Sequence, residues 1–475
     1  MSPAHADERR VHRSVREFAH RARGGPLRRH LQPMWRTPLV HTPLIIEPMI
    51  ETAARVPPTL RRAAPALLGY AAVRALGLVV LAIWSAARDK SAYTLLTARW
   101  DSLWYVRVAE QGYGYEVRLP NGDVHSNLAF FPLLPWLERL LHSLTPLSYA
   151  DAGFTVSLLS SLAAAWGVFA VADHVYGARA AVYAVLVWAV LPVGIVQSMA
   201  YSESLFTALA AWALYAVLTG RWVTAGVLAS LAGLTRPVGL AVVAAVWAAG
   251  LASLLRERTA PGPGSSGEPV HSSVSPGGTA PATGAQEAAR APDTSVPAPP
   301  PRAGTPTGAW NPARALGLLL APLGSLGYVL WVGHRTGDGP LGYLDVQAGW
   351  RNGFDGGYAF ARFVAEKFTS PPGALAGLAL IAGVTLLLRL YAVCVRQRQP
   401  LPVLVYAGAV LALALCASSY FGSKPRLLMP AFPVLLPFAL ALARSRTARS
   451  ALVVGGAAVA SAVYGAWWLN GSGPP

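Results

Sequence analysis

Arg99-Trp100-Asp101-Ser102-Leu103-Trp104-Tyr105, followed by Gly112-Tyr113, comes about a dozen residues after an apolar run at 66–87. That run has the length of about 20 residues that a helix needs to cross a bilayer. The motif therefore sits beside a membrane surface if the run spans, and it sets one carboxylate among three large aromatics. A plain extramembrane loop has no need of that mixture. Asp101 is the candidate chemical centre of a membrane enzyme, set against the blander reading of a carboxylate in a surface loop.

The rest of the chain tests the membrane reading. Of 475 residues, 54% are hydrophobic and only 13% charged, where a soluble chain carries roughly a quarter charged residues. The apolar runs are continuous and rich in Ala, Leu and Val rather than alternating, which predicts helices and not barrel strands. The expected fold is all-α, a polytopic membrane protein of about 11 transmembrane helices with extracytoplasmic interfacial helices. The expected spans lie near 66–87, 152–172, 180–199, 203–219, 222–235, 238–255, 314–333, 372–392, 401–419, 427–443 and 450–468. The net charge of +17 does not point to nucleic acid, because the arginines cluster beside apolar runs as topology signals do. Cys394 and Cys416 show no metal-ligand spacing and read as small buried hydrophobes.

Four regions follow. Residues 1–65, with twelve arginines and five acids, read as a basic disordered cytoplasmic tail. Residues 66–255 form a first membrane module with a catalytic outer loop at 88–150. Residues 256–313, rich in Pro, Gly and Ser, read as a disordered cytoplasmic linker. Residues 314–475 add further membrane helices and an outer loop at 334–371. The apolar stretch opened by Phe130-Phe131-Pro132-Leu133 contains Pro135, Glu138, Arg139 and His142, so it reads as an interfacial or re-entrant helix rather than a span. With that helix not crossing and the amino terminus inside, Arg179, Arg221, Arg256, Arg258, Arg389, Arg396, Arg398, Arg444, Arg446 and Arg449 all fall in inner loops. The outer connections then hold Asp101, Glu203, Arg236, Gln347, Trp350, Lys424 and Arg426.

Glu203, Arg236, Lys424 and Arg426 each occupy a short turn at the membrane edge. Singly, such a residue snorkels to headgroups or bonds a neighbouring loop. Together they put two carboxylates and three cations on one face, beside an aromatic helix. A carboxylate can take a proton from an acceptor hydroxyl, and arginine or lysine suits a phosphate leaving group. The chemistry this predicts is displacement at a lipid-linked phosphate. Gln347 and Trp350, three apart, would share a helical face, where an amide with an aromatic suits a sugar; an interfacial Trp anchor with an incidental Gln fits the spacing as well.

The motifs Arg99-Trp100-Asp101-Ser102-Leu103-Trp104-Tyr105, Gly112-Tyr113, Phe130-Phe131-Pro132-Leu133, Tyr201-Ser202-Glu203, Leu205-Phe206 and Thr235-Arg236-Pro237-Val238-Gly239 resemble, in this order, the PIG-V-like mannosyltransferases. That family includes the second mannosyltransferase of GPI-anchor synthesis and bacterial relatives, within the GT-C membrane glycosyltransferases. The resemblance runs from about 66 to 255 and more weakly through Gln347, Trp350 and the Lys424-Pro425-Arg426 turn. It implies a polyprenyl-phosphate sugar donor, with mannose as the sugar, and transfer with inversion on the extracytoplasmic face. It casts Asp101 as general base and Glu203 as a second acidic site residue. Arg236, Lys424 and Arg426 would face the donor phosphate. Trp100, Trp104, Tyr105, Tyr201, Gln347 and Trp350 are the candidates for sugar or acceptor contact. No cofactor and no metal ion is expected. The acceptor, whether glycan, lipid or protein, is not implied. A polytopic transporter or lipid-linked-sugar flippase is the alternative, and it would distribute polar residues along mid-span positions. A non-catalytic assembly partner would tolerate change at Glu203 and Arg236.

Overall fold

The computed structural model describes residues 58–259 and 311–471. The expected tail falls outside these residues up to position 57, and the expected linker does so over 260–310. Among the described residues the chain is almost wholly helical. In order come α1 (Pro58–Ala86), α2 (Ala92–Thr97), α3 (Asp101–Gln111), α4 (Leu133–Leu144), α5 (Tyr149–Tyr176), α6 (Ala178–Ala189), α7 (Ser202–Leu218), α8 (Trp222–Gly233) and α9 (Leu240–Thr259). The second part holds α10 (Pro312–Leu320), α11 (Leu323–Thr336), α12 (Gly342–Gly349), α13 (Tyr358–Glu366), α14 (Pro371–Arg396), α15 (Leu401–Cys416), α16 (Lys424–Leu428), α17 (Leu436–Arg444) and α18 (Thr447–Leu469).

Every expected span overlaps helix, but length and apolarity do not confirm the count of eleven. Among the described residues six helices are long and apolar enough to cross a membrane, or seven if the pair bent by 73° at 421–444 is one span. Four expected spans are shorter apolar helices, Ala178–Ala189, Ser202–Leu218, Trp222–Gly233 and Leu401–Cys416. The apolar runs continue past these helix ends, but the backbone breaks: after Ala189 the chain passes Pro192 and enters a 3-10 turn at Gly194–Ser198. At the other edge, α1 starts at Pro58, eight residues before the expected boundary.

Two short antiparallel strand pairs interrupt the all-helical pattern. β1 (Glu116–Arg118) pairs with β2 (Val124–Ser126), and β3 (Gly353–Phe354) pairs with β4 (Ala417–Ser418). The first is closed by a turn with Pro120 at its second position, where the Gly122 amide bonds the Leu119 carbonyl. The second stitches the 334–371 loop to the end of α15.

Helices approach closely where side chains are small. At Gly226 on α8 and Gly317 on α10 the backbones nearly touch, and a Cβ on either would run into the other segment's backbone. The main core runs through α1, α5, α6, α7, α9 and α15, with Trp188, Tyr70, Tyr201, Tyr406 and Phe206 fully buried. The amphipathic α4 has twelve residues and lies against Tyr105 of α3 and Leu205 of α7.

Candidate active site

Asp101 and Glu203 arrive in the same way. Each lies in the first turn of its helix, Asp101 opening α3 and Glu203 second in α7. A helix start favours a carboxylate, because unpaired backbone amides and the dipole put positive charge there. Ahead of Asp101 the backbone bends sharply: Trp100 has a φ of 52°, a conformation that non-glycine residues rarely hold. Ser102 braces the bend, donating to the Arg99 carbonyl at 2.7 Å and accepting from the Arg99 amide at 3.0 Å. Arg99 and Lys90 then donate to the Leu469 and Asn470 carbonyls, tying the bend to the end of α18.

Two guanidiniums close on these carboxylates. Arg426 Nη1 lies 2.7 Å from Asp101 Oδ2, and its Nε lies 3.6 Å from Glu203 Oε1. Arg236 Nη1 lies 2.6 Å from the same Glu203 oxygen. Arg236 also donates to Ser202 Oγ at 3.1 Å, and Ser202 Oγ is 2.7 Å from the Tyr105 hydroxyl. Arg426 sits over the Tyr201 ring at 5.1 Å. Glu203 is only 1% exposed, against 22% for the Asp101 side chain. Burial pushes the Tyr105 hydroxyl pKa up, so it stays a neutral hydrogen-bonding group. Four segments distant in sequence thus meet in one charge cluster.

The other expected site residues divide. Tyr105 and Tyr201 are buried inside the cluster's walls. Trp100 packs against the main core, with the Arg99 guanidinium 3.9 Å from its ring. Trp104 is half-buried and stacks on Phe130, with Trp350 edge-on at 4.9 Å. Trp350 donates to the Ser126 carbonyl, and its ring stacks on His125 at 4.1 Å. Gln347 donates its amide to the Tyr343 hydroxyl and accepts from Asn352, and a second donation to the Ala129 carbonyl at 3.4 Å joins α12 to the loop before α4. Lys424 is not in the cluster. Its Nζ donates to the Ala414 and Ala417 carbonyls at 2.8 and 2.7 Å, at the end of α15, and lies near the Phe360 and Phe421 rings. An ammonium at a helix C-terminus is stabilised by the orphan carbonyls there.

Sequence reasoning missed three residues. Ser202 links Arg236 to Tyr105, and its signal is its place inside the Tyr201-Ser202-Glu203 motif. Arg74, buried near the middle of α1, donates to the Ala189 and Gly194 carbonyls and so holds the broken end of α6. A lone arginine within a long apolar run is the signal that could have found it. Glu138 on α4 is fully buried, and burial raises its pKa well above the ordinary carboxylate value. Among the described residues no group of three or more His, Cys, Asp and Glu side chains gathers.

The first three members of the charge cluster, Asp101, Glu203 and Arg236, lie within one stretch that also matches a known family. Residues 80–255 match the family Mannosyltransferase (PIG-V). No curated protein matches the chain. Among solved structures, ArnT from Cupriavidus metallidurans bound to undecaprenyl phosphate is similar at 14% identity and a TM-score of 0.45, over 81% of this chain and 62% of that one. AglB from Archaeoglobus fulgidus, an archaeal oligosaccharyltransferase in complex with an inhibitory peptide and a dolichol-phosphate, is similar at 12% identity and a TM-score of 0.40, over 86% and 56%. The chain thus spans about three fifths of the length of these proteins. The PIG-V match contains α2 to α8 whole and α9 up to residue 255, and with them every site residue except those of 347–350 and 424–426.

Proposed function

We propose that this protein is an integral-membrane glycosyltransferase that moves a sugar, mannose, from a polyprenyl-phosphate donor to an acceptor hydroxyl on the extracytoplasmic face. The observation that carries this reading is the meeting of Asp101, Glu203, Arg236 and Arg426, within a chain whose segment 80–255 matches a mannosyltransferase family. The acceptor oxygen attacks the anomeric carbon from the side opposite the phosphate, which inverts the configuration there. The bond from that carbon to the phosphate oxygen breaks, and its electron pair leaves with the lipid phosphate. Asp101 takes the hydroxyl proton. Arg426 and Arg236 meet the charge that develops on the leaving oxygen, and Glu203 fixes both guanidiniums for that role. Lys424, bonded to backbone carbonyls, is left out of the donor site. The half-buried Trp104, Trp350 and His125 rings offer aromatic surface for a sugar. The distribution of arginines across the loops supports the outer location and a cytoplasmic amino terminus.

The test is to incubate membranes carrying the full-length chain with labelled polyprenyl-phosphomannose and identify the labelled product. A new glycosidic product is expected, and Asp101→Asn, which keeps size and removes basicity, should abolish it at unchanged protein level. Retained transfer in that variant would sink the assignment of Asp101. Movement of the lipid-linked sugar across the membrane without a new glycosidic bond would favour a flippase.

A further inference from the structure

The cluster around Arg426 is formally neutral, with two carboxylates against two guanidiniums. A phosphate entering it therefore finds both cations already engaged. Of the two carboxylates, Glu203 is held from two sides, by Arg236 at 2.6 Å and Arg426 at 3.6 Å, and is 1% exposed. Asp101 is held by Arg426 from one side, and its side chain is 22% exposed. The protein can release Asp101 toward solvent much more easily than it can release Glu203, whose departure would leave a charge buried and unpaired. Arg426 itself is anchored against the Tyr201 ring, so it can stay in place while its partner changes.

From this asymmetry we infer that Asp101 occupies, on Arg426, the seat that a lipid-linked phosphate takes, so that phosphate binding and release of the base are a single exchange. The inference rests on the glycosyltransferase reading above. A carboxylate oxygen engaged by a guanidinium is not free to receive a hydroxyl proton. Once the phosphate takes the guanidinium, the same oxygen faces the acceptor. The base is thereby armed only when a donor is bound, and the donor must bind before the acceptor can react.

The exchange makes an unusual demand: removing the base should strengthen phosphate binding. Affinity is read on the full-length protein in detergent, with polyprenyl monophosphate as probe and polyprenol as the uncharged control. For Asp101→Asn we expect binding about fivefold to tenfold tighter than in the parent protein, the fold-change equivalent to losing one competing ion pair. In an Arg426→Gln background the same substitution should change affinity by less than about twofold. Equal or weaker binding in Asp101→Asn overturns the exchange. So does tightening that persists without Arg426, since that is a general field effect and not competition for one group. If the parent protein binds polyprenol as well as polyprenyl monophosphate, the donor site itself is misassigned and both readings fall. Asp101→Ser repeats the measurement should the Asn variant not elute as a folded species.

Discussion

Replacing Arg236 with Gln should destabilise the fold far more than its position in a short turn suggests. Glu203 is 1% exposed and Arg236 13%, with 2.6 Å between their charged atoms. Removing one member of a buried ion pair costs about 3–5 kcal/mol, because the other charge is left in low dielectric. Arg426 remains 3.6 Å from the same Glu203 oxygen, which places the expected loss at the lower end, about 3 kcal/mol. Glu203→Gln should cost less, since Arg236 keeps Ser202 and some access to water. The double variant should then recover much of the loss, with a coupling of about 2 kcal/mol, within the range seen for residues in direct contact. Equilibrium unfolding in mixed detergent micelles, run on the parent, both single variants and the double, reads all four corners of the cycle. Effects that add within about 0.5 kcal/mol would refute the reasoning, since they would mean the buried pair is not an energetic unit.

Other elements give sharper contrasts. Arg74→Leu removes the donors to the Ala189 and Gly194 carbonyls, each worth about 1–3 kcal/mol when left buried and unpaired; thermal denaturation in detergent should show a large drop in melting temperature. Gly194→Ala should mimic it, because the added Cβ would lie 2.7 Å from the Ala189 oxygen and 2.8 Å from an Arg74 nitrogen. Glu138 gives a pH signature. Its pKa is raised by burial above the ordinary 4.5, so the folded state holds the proton more tightly than the unfolded state. Stability from this group is therefore full below about pH 4.5 and is lost as pH rises toward the raised value. Glu138→Gln should be more stable than the parent at pH 8, with the gap closing toward pH 5, in melting temperatures taken across that range. A constant gap would mean Glu138 is already ionised in the fold.

The positions of the helices were legible because hydrophobic runs report burial in lipid or protein. Their lengths were not, because a run such as 180–199 does not say that its backbone stops being helical at Ala189. What permits that stop is Arg74, more than a hundred residues earlier, supplying donors to the freed carbonyls. In hydrocarbon no water can take that part, so a helix break inside an apolar run needs a polar residue elsewhere in the chain. A search for breaks must look for the donor, not for the break.

The same logic separates the charged residues that meet from the one that does not. Asp101, Glu203, Arg236 and Arg426 are charges whose only adequate partners at low dielectric are one another, so chemistry alone brings them together. Lys424 looked equivalent to Arg426 two positions away, yet it turns to the carbonyls at the end of α15. The difference lies in geometry. Lysine's single ammonium can be satisfied by converging backbone carbonyls, and α15 ends within its reach. Arginine's planar fork, with donors pointing in several directions, can bridge two carboxylates at once, which is what Arg426 does between Asp101 and Glu203. If that is the reason, Arg426→Lys is not a conservative change. A lysine there should keep one carboxylate and release the other, so sugar transfer should fall sharply although the net charge of the cluster is unchanged. Transfer near the parent rate in Arg426→Lys would show that charge, and not the bridging fork, is what the site requires.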